Sequence, residues 1–547
     1  MSDTLPPRWS PSAARGIRRR LVVEGHFVLT EPAHFGSGEE GDQVDMDLLT
    51  SQPLDPEASV APVLPGTTLA GALRSALHTR LRGSRAEQKR RGLRENDPVE
   101  LLFGGYRGDD IGLQSALLIE DAYGVLPPPA ETEILPTGPE LREGVALQAQ
   151  TRTAASGKLY DRLCWPAGTS FPLRFELVLT DHDKQKHDAI LRTFCTVLRT
   201  LEEGEIKLGM RKRRGQGHGI VKVWRLRDYN LTQIDDLLAW LDDGGTSLLD
   251  ASEEALETRG IVSEDTAEVL LDVAPLNEDQ RTYFTLHATL ALPGSLLIRS
   301  GLAPELGSPD MTHLRTRHPK PNDPHHSCLE PVLSGTSVAG ALRARAYRIA
   351  CTLGGLSPAR TLIYNLFGYG PQDHWPERPK DAPRICASRL ETREHVITDA
   401  KMNLVQNRVM IDRFTGGSYP GALFNQRPAF GSDATFVVVD LRLVLPKPYE
   451  IGLLLLLLKD LWTGDLPLGG EQSVGRGRLS GNMTSCEAIL EHRYREGDEL
   501  HTATWRIAPQ SSEDGRSSLQ VEGDREALQA FVDAFLSYLA TTTNGNT

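Results

Sequence analysis

Two stretches of this 547-residue sequence combine a glycine, small hydroxyl residues and an arginine in an order that suits an anion. They are "VLPGTTLAGALR" from Val63 and "VLSGTSVAGALR" from Val332. Gly66 and Gly335 permit a sharp turn and close backbone approach. Thr67 or Thr68 in one copy, and Thr336 or Ser337 in the other, can cap a following helix through a side-chain oxygen. The start of such a helix presents N–H groups and the positive end of its dipole, which suits a phosphate. Arg74 and Arg343 follow, and a capped core helix without a ligand is the plain alternative.

Two glycine loops offer related chemistry: "RKRRGQGHG" from Arg211 and "VGRGRLSG" from Val474. Gly215 and Gly217 lie beside Arg211, Lys212, Arg213 and Arg214; Gly475 and Gly477 lie beside Arg476 and Arg478. Tight glycines among arginines would let a sugar-phosphate backbone touch the main chain, although an ordinary turn has the same composition. Neither loop follows a strand and opens a helix, as a dinucleotide fingerprint must. His218 stands where an RNA-processing nuclease would want an acid–base group, but its partner in the other loop is Arg478. "HPKPNDPHHSC" brings His318, His325, His326 and Cys328 together without the spacing of zinc ligand pairs, so a polar loop is expected there.

These matches belong to a longer duplication. "TLEEGEIKLG" ending at Gly209 aligns with "DLWTGDLPLG" ending at Gly469. "VALQAQTRTAASGKLYD" from Val145 aligns with "VMIDRFTGGSYPGALFN" from Val409, and "DMDLLT" from Asp45 with "DMTHLR" from Asp310. "LLFGGY" from Leu101 has a looser counterpart in "NLFGYG" from Asn365. Five matches in one order, at offsets between 260 and 269, describe two homologous domains joined head to tail. The expected division is an N-terminal arm at 1–17, a first domain at 18–228, an acidic connector at 229–280, a second domain at 281–493 and an extension at 494–547. The connector shows helical spacing at Leu237, Leu238 and Leu241, and "REALQAFVDAFLSYLA" reads as a last helix before a disordered tail.

Each copy reads as α+β. "LVVEGHFVL" and "YFTLHATLAL" have strand character, as do "SFPLRFELVL" and "TFVVVDLRLVL" in matching places. The repeated twelve-mers open amphipathic helices, with Leu69, Ala72, Leu73, Ala76 and Leu77 on one face. "AILRTFCTVLRTLEE" and "IGLLLLLLKDLW" supply the second helices. Strand, helix, strands, helix, glycine loop, strand describes a ferredoxin-like or RNA-recognition-like module, present twice.

Composition narrows the function classes. Apolar residues make up 39% and charged residues 24%, as in soluble globular chains. The longest apolar run, "IGLLLLLL" from Ile451, is far shorter than a spanning helix, so no membrane partner is expected. The N-terminus has arginines but no apolar h-region of a secretory signal. Six cysteines without a CxxC pair suit reduced thiols and a cytoplasmic location. The net charge of −13 argues mildly against an unaided nucleic-acid binder, although the basic runs from Arg80 and Arg211 oppose the average.

The ordered set of strand, aspartate-bearing loop, "PGT/S-x-x-G-x-x-R" helix, "IDR-x-T" segment and glycine loop resembles the RAMP superfamily. More narrowly it resembles the Cas-seven-type backbone subunits of type III CRISPR effector complexes, here as a tandem fusion like those of type III-D-like systems. The resemblance covers about three quarters of the chain. It implies two RAMP domains with long inserted loops, or thumb hairpins, that interrupt a guide–target duplex. It also implies a CRISPR guide RNA, a complementary target RNA and other type III effector subunits as partners. Arg413, in the "IDR" of the second copy, joins the residues expected to touch RNA; the first copy has Gln148 and Ala149 where the second has Asp412 and Arg413.

Such relatives cleave target RNA with an aspartate in the loop after the first strand. Asp45 and Asp47 both sit there, and the internal alignment favours Asp45, which matches Asp310, whereas Asp47 matches Thr312; Asp412 is a weaker candidate. A splayed nucleotide can direct its own 2′-hydroxyl at the adjacent phosphorus. Asp45 and Asp310 would then hold a hydrated Mg²⁺ or Mn²⁺ or accept the hydroxyl proton, and DNA should survive. The competing expectations are a non-catalytic guide-binding subunit and a guide-processing endoribonuclease.

Overall fold

The computed structural model describes residues 16–38, 44–51, 60–83, 97–105, 114–128, 138–147, 153–300, 309–320, 323–369, 385–511 and 517–544. Its first sheet is built on β1 (Ile17–Leu29), which lies between β3 (Ser170–Thr180) and β4 (Gly219–Asn230), with β2 (Leu117–Ile119) outside β3. All these pairings are antiparallel; Val23 faces Phe175 on one side and Leu226 on the other. The chain order is β1, helix α1 (Gly66–Arg82), β2, β3, helix α2 (His187–Glu202), β4. This is the ferredoxin-like order, and the second repeat reproduces it. There β5 (Tyr283–Ala291), α3 (Gly335–Gly354), β6 (Leu390–Thr392), β7 (Phe436–Val444), α4 (Pro448–Trp462) and β8 (Glu487–Glu496) form a sheet in the order β6-β7-β5-β8.

Alternation in β3 decides which face is covered. Phe171, Leu173, Phe175, Leu177 and Leu179 are all buried. They meet Ile190, Phe194, Leu198 and Leu201 of α2 in one core, with the Phe175 and Phe194 rings 6.1 Å apart. Each such side chain contributes about 1.5–3 kcal/mol on burial. The leucine run of α4 packs on two sides. One side faces β7 through Val437, Val439, Leu441 and Leu443, and the other meets the C-terminal helix Arg525–Asn544. A Cβ on Gly452 would lie 2.1 Å from the Phe531 carbonyl, so that helix crosses α4 at glycine distance.

The charged stretch after β8 extends the second sheet through strands Glu499–Ser511 and Ser517–Glu522. In the connector, helix Ile234–Asp243 forms as its spacing predicts, but Leu237, Leu238 and Leu241 are exposed. The inward residue is Trp240, stacked under Arg20 at 4.6 Å. Farther along, Ser247 Oγ and the Leu248 and Leu249 N–H groups donate to Glu24 Oε2 at 2.8–3.2 Å. The connector therefore lies over the outer face of the first sheet. The segment expected as a polar loop around His318 is a β-hairpin, Arg315–Lys320 with Asp323–Leu333. Among the described residues no helix is long and apolar enough to cross a membrane.

The repeats meet along a polar seam. Arg142 is buried and makes a bidentate pair with Glu394 at 3.0 and 3.2 Å, while also donating to Thr316 Oγ1 at 2.7 Å. Lys207 pairs with Glu391 at 2.6 Å, and Arg281 with Glu205 at 2.8 Å. The first glycine loop lies against the second repeat: Thr392 N–H donates to Arg213 O at 3.2 Å, and the Arg213 guanidinium donates to Ser388 O. Gly215, at φ +77°, is held there because a Cβ would lie 2.4 Å from the Glu394 nitrogen.

Loss of one partner from a buried ion pair leaves an uncompensated charge. Arg142→Ala is therefore expected to lower unfolding stability by about 3–5 kcal/mol in denaturant titration. Glu31, beside the seam, is 9% exposed, and burial pushes its carboxyl up to about 7. A carboxyl raised in the folded state penalises folding as pH rises from its ordinary value of 4.5 towards 7. Glu31→Gln is expected to stabilise by roughly 2–3 kcal/mol at about pH 8. Below about pH 4.5 it should change nothing in the same titration.

Candidate nucleic-acid interface

In each repeat, a loop acid and the return strand of a hairpin exchange the same two hydrogen bonds. In the first, Asp161 N–H donates to Asp45 Oδ2 at 2.9 Å and Asp45 N–H donates to Asp161 Oδ1 at 2.7 Å. In the second, Asn425 N–H donates to Asp310 Oδ2 at 2.9 Å and Asp310 N–H donates to Asn425 Oδ1 at 2.6 Å. Bonds to a carboxylate are the stronger kind and fix its direction. Asp45 and Asp310 are exposed, and the Oδ1 atom of each has no hydrogen-bond partner among the described residues. Asp47 instead turns Oδ1 to the N–H of Leu48 at 2.7 Å. Its counterpart Thr312 lies in a short strand paired with Arg427. Asp45 and Asp310 are thus the geometrically equivalent pair.

The hairpins are Glu140–Leu147 with Ala154–Cys164, and Gln406–Ile411 with Ser418–Arg427. The second leaves Val409, Met410, Ile411 and Leu423 exposed, and Phe414 at its tip is 100% exposed. Asp412 builds that tip: its Oδ1 accepts from Phe414 N–H at 2.7 Å and Thr415 N–H at 3.1 Å, which holds its carboxyl below the usual range. Asp412 is a turn-former, with Arg413 exposed beside it. The tip of the first hairpin, with Gln148, Ala149 and Thr151, lies outside the described residues.

Arg211 of the first glycine loop lies against the first hairpin. At φ 57°, it stacks over the Tyr160 ring at 4.8 Å and donates to the Tyr160 hydroxyl, one residue from Asp161. Met210 N–H donates to His34 O at 3.0 Å, which draws this loop towards the acid loop. In the second repeat Glu471 has the same left-handed backbone and grips Arg476 at 2.7 Å. Arg476 also donates to Ser295 Oγ at 2.8 Å and Gln406 Oε1 at 2.6 Å and is 3% exposed. It ties the hairpin base to the loop instead of facing RNA. Lys212, Arg478 and Gly475 are exposed.

Several residues expected to touch phosphate are engaged within the protein. Arg213, Arg214 and Gly215 lie in the seam. A Cβ on Gly217 or Gly477 would lie 1.8 Å from the Leu208 or Leu468 carbonyl, so these glycines close a turn of their own repeat. At the first helix opening, Gly66 N–H donates to Asp121 Oδ1 at 2.7 Å, and a carboxylate of the chain takes the anion position. Pro65 precedes that helix, and Thr67 and Thr68 lie inside it without capping it. In the second copy the cap is Ser334, whose Oγ accepts from Ser337 N–H at 3.3 Å and contacts Thr336 Oγ1. Gly335 abuts Arg214 O. Arg74 donates to Gly104 O at 3.0 Å, and Arg343 lies 6.0 Å over Tyr364.

His218 is 3% exposed, and burial, with Lys207 nearby, holds its imidazole well below the ordinary value. A neutral, enclosed imidazole is poorly placed for the acid–base role of a guide-processing nuclease. Among the described residues no group of three or more His, Cys, Asp or Glu side chains is arranged to hold a metal. Cys328 Sγ lies 3.2 Å from Glu330 Oε1; the side chains of His325 and His326 lie outside the described set. The sequence reading missed Asp161 and Asn425, although both stand at the last position of the aligned hairpin segments. It also missed Tyr160 and Phe414.

A family model of the RAMP superfamily matches residues 26–221 and 290–480. No curated protein matches the chain. The two matched stretches carry the helices α1 to α4, the two acid loops and the two hairpins, and the chain belongs to the RAMP superfamily with one such region in each repeat.

Proposed function

We propose that this protein is a guide-RNA-binding backbone subunit of a type III CRISPR effector complex that cuts complementary target RNA beside Asp45 and beside Asp310. RAMP membership implies a CRISPR-associated, RNA-binding protein. The observation that carries the finer reading is the clasp made in both repeats. It presents one carboxylate oxygen outward at the root of a projecting hairpin, twice in one chain. The exposed second hairpin supports the same reading, because a nucleobase stacks on an aromatic side chain such as Phe414 for about 1–3 kcal/mol. Phe414 is the wedge we assign at its tip.

The chemistry asks little of the protein. The hairpin holds one target nucleotide out of the duplex. Its 2′-oxygen bonds to the adjacent phosphorus as the bond to the 5′-oxygen breaks, leaving a 2′,3′-cyclic phosphate and a 5′-hydroxyl. The outward oxygen of Asp45 or Asp310 either takes the 2′-hydroxyl proton itself or would hold a hydrated metal ion, and water gives a proton to the departing 5′-oxygen. A hydrated Mg²⁺ or Mn²⁺ would stabilise charge on the phosphate; Asp45 with Asp161, or Asp310 alone, would supply the protein carboxylates, and water and RNA the remaining ligands.

A non-catalytic guide-binding subunit is the competing reading, and product lengths discriminate. Asp45→Ala is expected to remove one cleavage product and Asp310→Ala another, each by about 10²-fold or more, with target affinity unchanged. Undiminished cutting by the double variant would support the non-catalytic reading, with the nuclease elsewhere in the complex. Full chelation should stop both cuts. On titrating Mg²⁺ back, the Asp45 product should return first, since Asn425 replaces the second carboxylate at the other site; simultaneous return would contradict that asymmetry.

A further inference from the structure

The connector helix Ile234–Asp243 sits on the first sheet with its apolar stripe turned outward. Its inward face carries Asp236, Ala239, Trp240 and Asp243. Asn230 N–H donates to Asp236 Oδ2 at 3.1 Å. Asp243 accepts from the Tyr229 hydroxyl and, at 3.1 Å, from Arg259 Nε. Ala239 and Trp240 pack on a small cluster of Val22, Tyr229, Leu248 and Ile261. These contacts seat the helix through that face. The opposite face carries Ile234, Leu237, Leu238 and Leu241, spaced i, i+3, i+4 and i+7. All four are exposed, Ile234 at 74% and Leu241 at 58%. Large apolar side chains at that spacing form a stripe about 100° wide, which on a surface helix ordinarily faces a core. An apolar patch rimmed by polar residues marks an interaction site when it is left open.

Charge decides what can cover the stripe. Asp235 and Asp242 are exposed, and at helical spacing both lie along its Leu238 edge. Residues 229–280 carry 14 Asp or Glu side chains against one base, Arg259, which pairs with Asp243 at 3.0 Å. A nucleic-acid backbone or an anionic lipid surface would meet like charge there. An antiparallel pairing of two copies would set one acidic edge against the other, and a net charge of −13 opposes such self-association. We propose that this face is the docking site for a partner protein's amphipathic helix that carries Lys or Arg along one edge of its own apolar stripe. That helix lies along the connector helix at about 8–10 Å, covering the leucines and setting its bases against Asp235 and Asp242. The stripe supplies most of the affinity, and the two aspartates select the partner.

Fluorescence anisotropy of two labelled peptides, titrated with the full chain, tests it. Both peptides carry leucines at i, i+3, i+4 and i+7 over about four turns; one has Lys along the stripe edge and the other Glu. The Lys-edge peptide is expected to bind at least about tenfold more tightly than the Glu-edge peptide. Leu238→Ser with Leu241→Ser should weaken that binding at least about tenfold at unchanged thermal stability, because both side chains are exposed. Asp235→Lys with Asp242→Lys should reverse the preference, so that the Glu-edge peptide binds better. Equal binding of the two peptides, or a Lys-edge preference that survives the charge reversal, would overturn the proposal. So would binding undiminished by the serine pair, which places the peptide elsewhere. Binding of phosphatidylserine vesicles or single-stranded RNA that the serine pair abolishes, or a concentration-dependent dimer that it dissolves, would overturn the partner-helix assignment in favour of that occupant.

Discussion

Two short hydrogen bonds between an acid loop and a hairpin are the constraint on which the interface depends. An exposed carboxylate on a long loop would ordinarily sample many directions, and ordering it costs conformational entropy. Here the loop aspartate accepts a main-chain N–H of the hairpin and donates its own N–H in return, at 2.6–2.9 Å in both repeats. One carboxylate oxygen is thereby spent on position and the other is left outward. Because the bonds run both ways, hairpin and acid are held in one geometry. A nucleotide displaced by the hairpin would meet the carboxylate without further adjustment.

The duplication kept this backbone device and let its surroundings diverge. Asp161 gives way to Asn425, which makes the same main-chain exchange with one fewer charge. Arg211, stacked on Tyr160, gives way to Glu471, which holds the enclosed Arg476. The first site therefore has two carboxylates, and the second one carboxylate with its basic residue turned inward. The connector covers the outer face of the first sheet around Glu24.

Much of the fold was legible because periodicity and duplication are local properties of a sequence. The alternation of Phe171 to Leu179 and the order of the matched segments led directly to two ferredoxin-like sheets. The equivalence of Asp45 and Asp310 followed from alignment alone. The arginines were less legible. Basic residues beside glycines read alike whether the acceptor is a phosphate or the carbonyls of a neighbouring domain, and Arg213 and Arg214 meet the latter. Helix starts behaved similarly, since Asp121 and Ser334 supply what Thr67 and Ser337 were expected to supply. Neither is visible without knowing which distant strand or turn returns to that helix. Asp161 and Asn425 stood in the aligned segments, but an acid opposite an amide carries no message until their main-chain partners are seen.

The account is tested most directly by the structure of the full chain bound to guide RNA and a target made resistant by 2′-deoxy substitution. It predicts two unstacked target nucleotides, one within hydrogen-bond reach of the outward oxygen of Asp45 and one of Asp310, each beside its hairpin. A duplex lying on a face that neither aspartate reaches, or running past both hairpins with every base stacked, would contradict it.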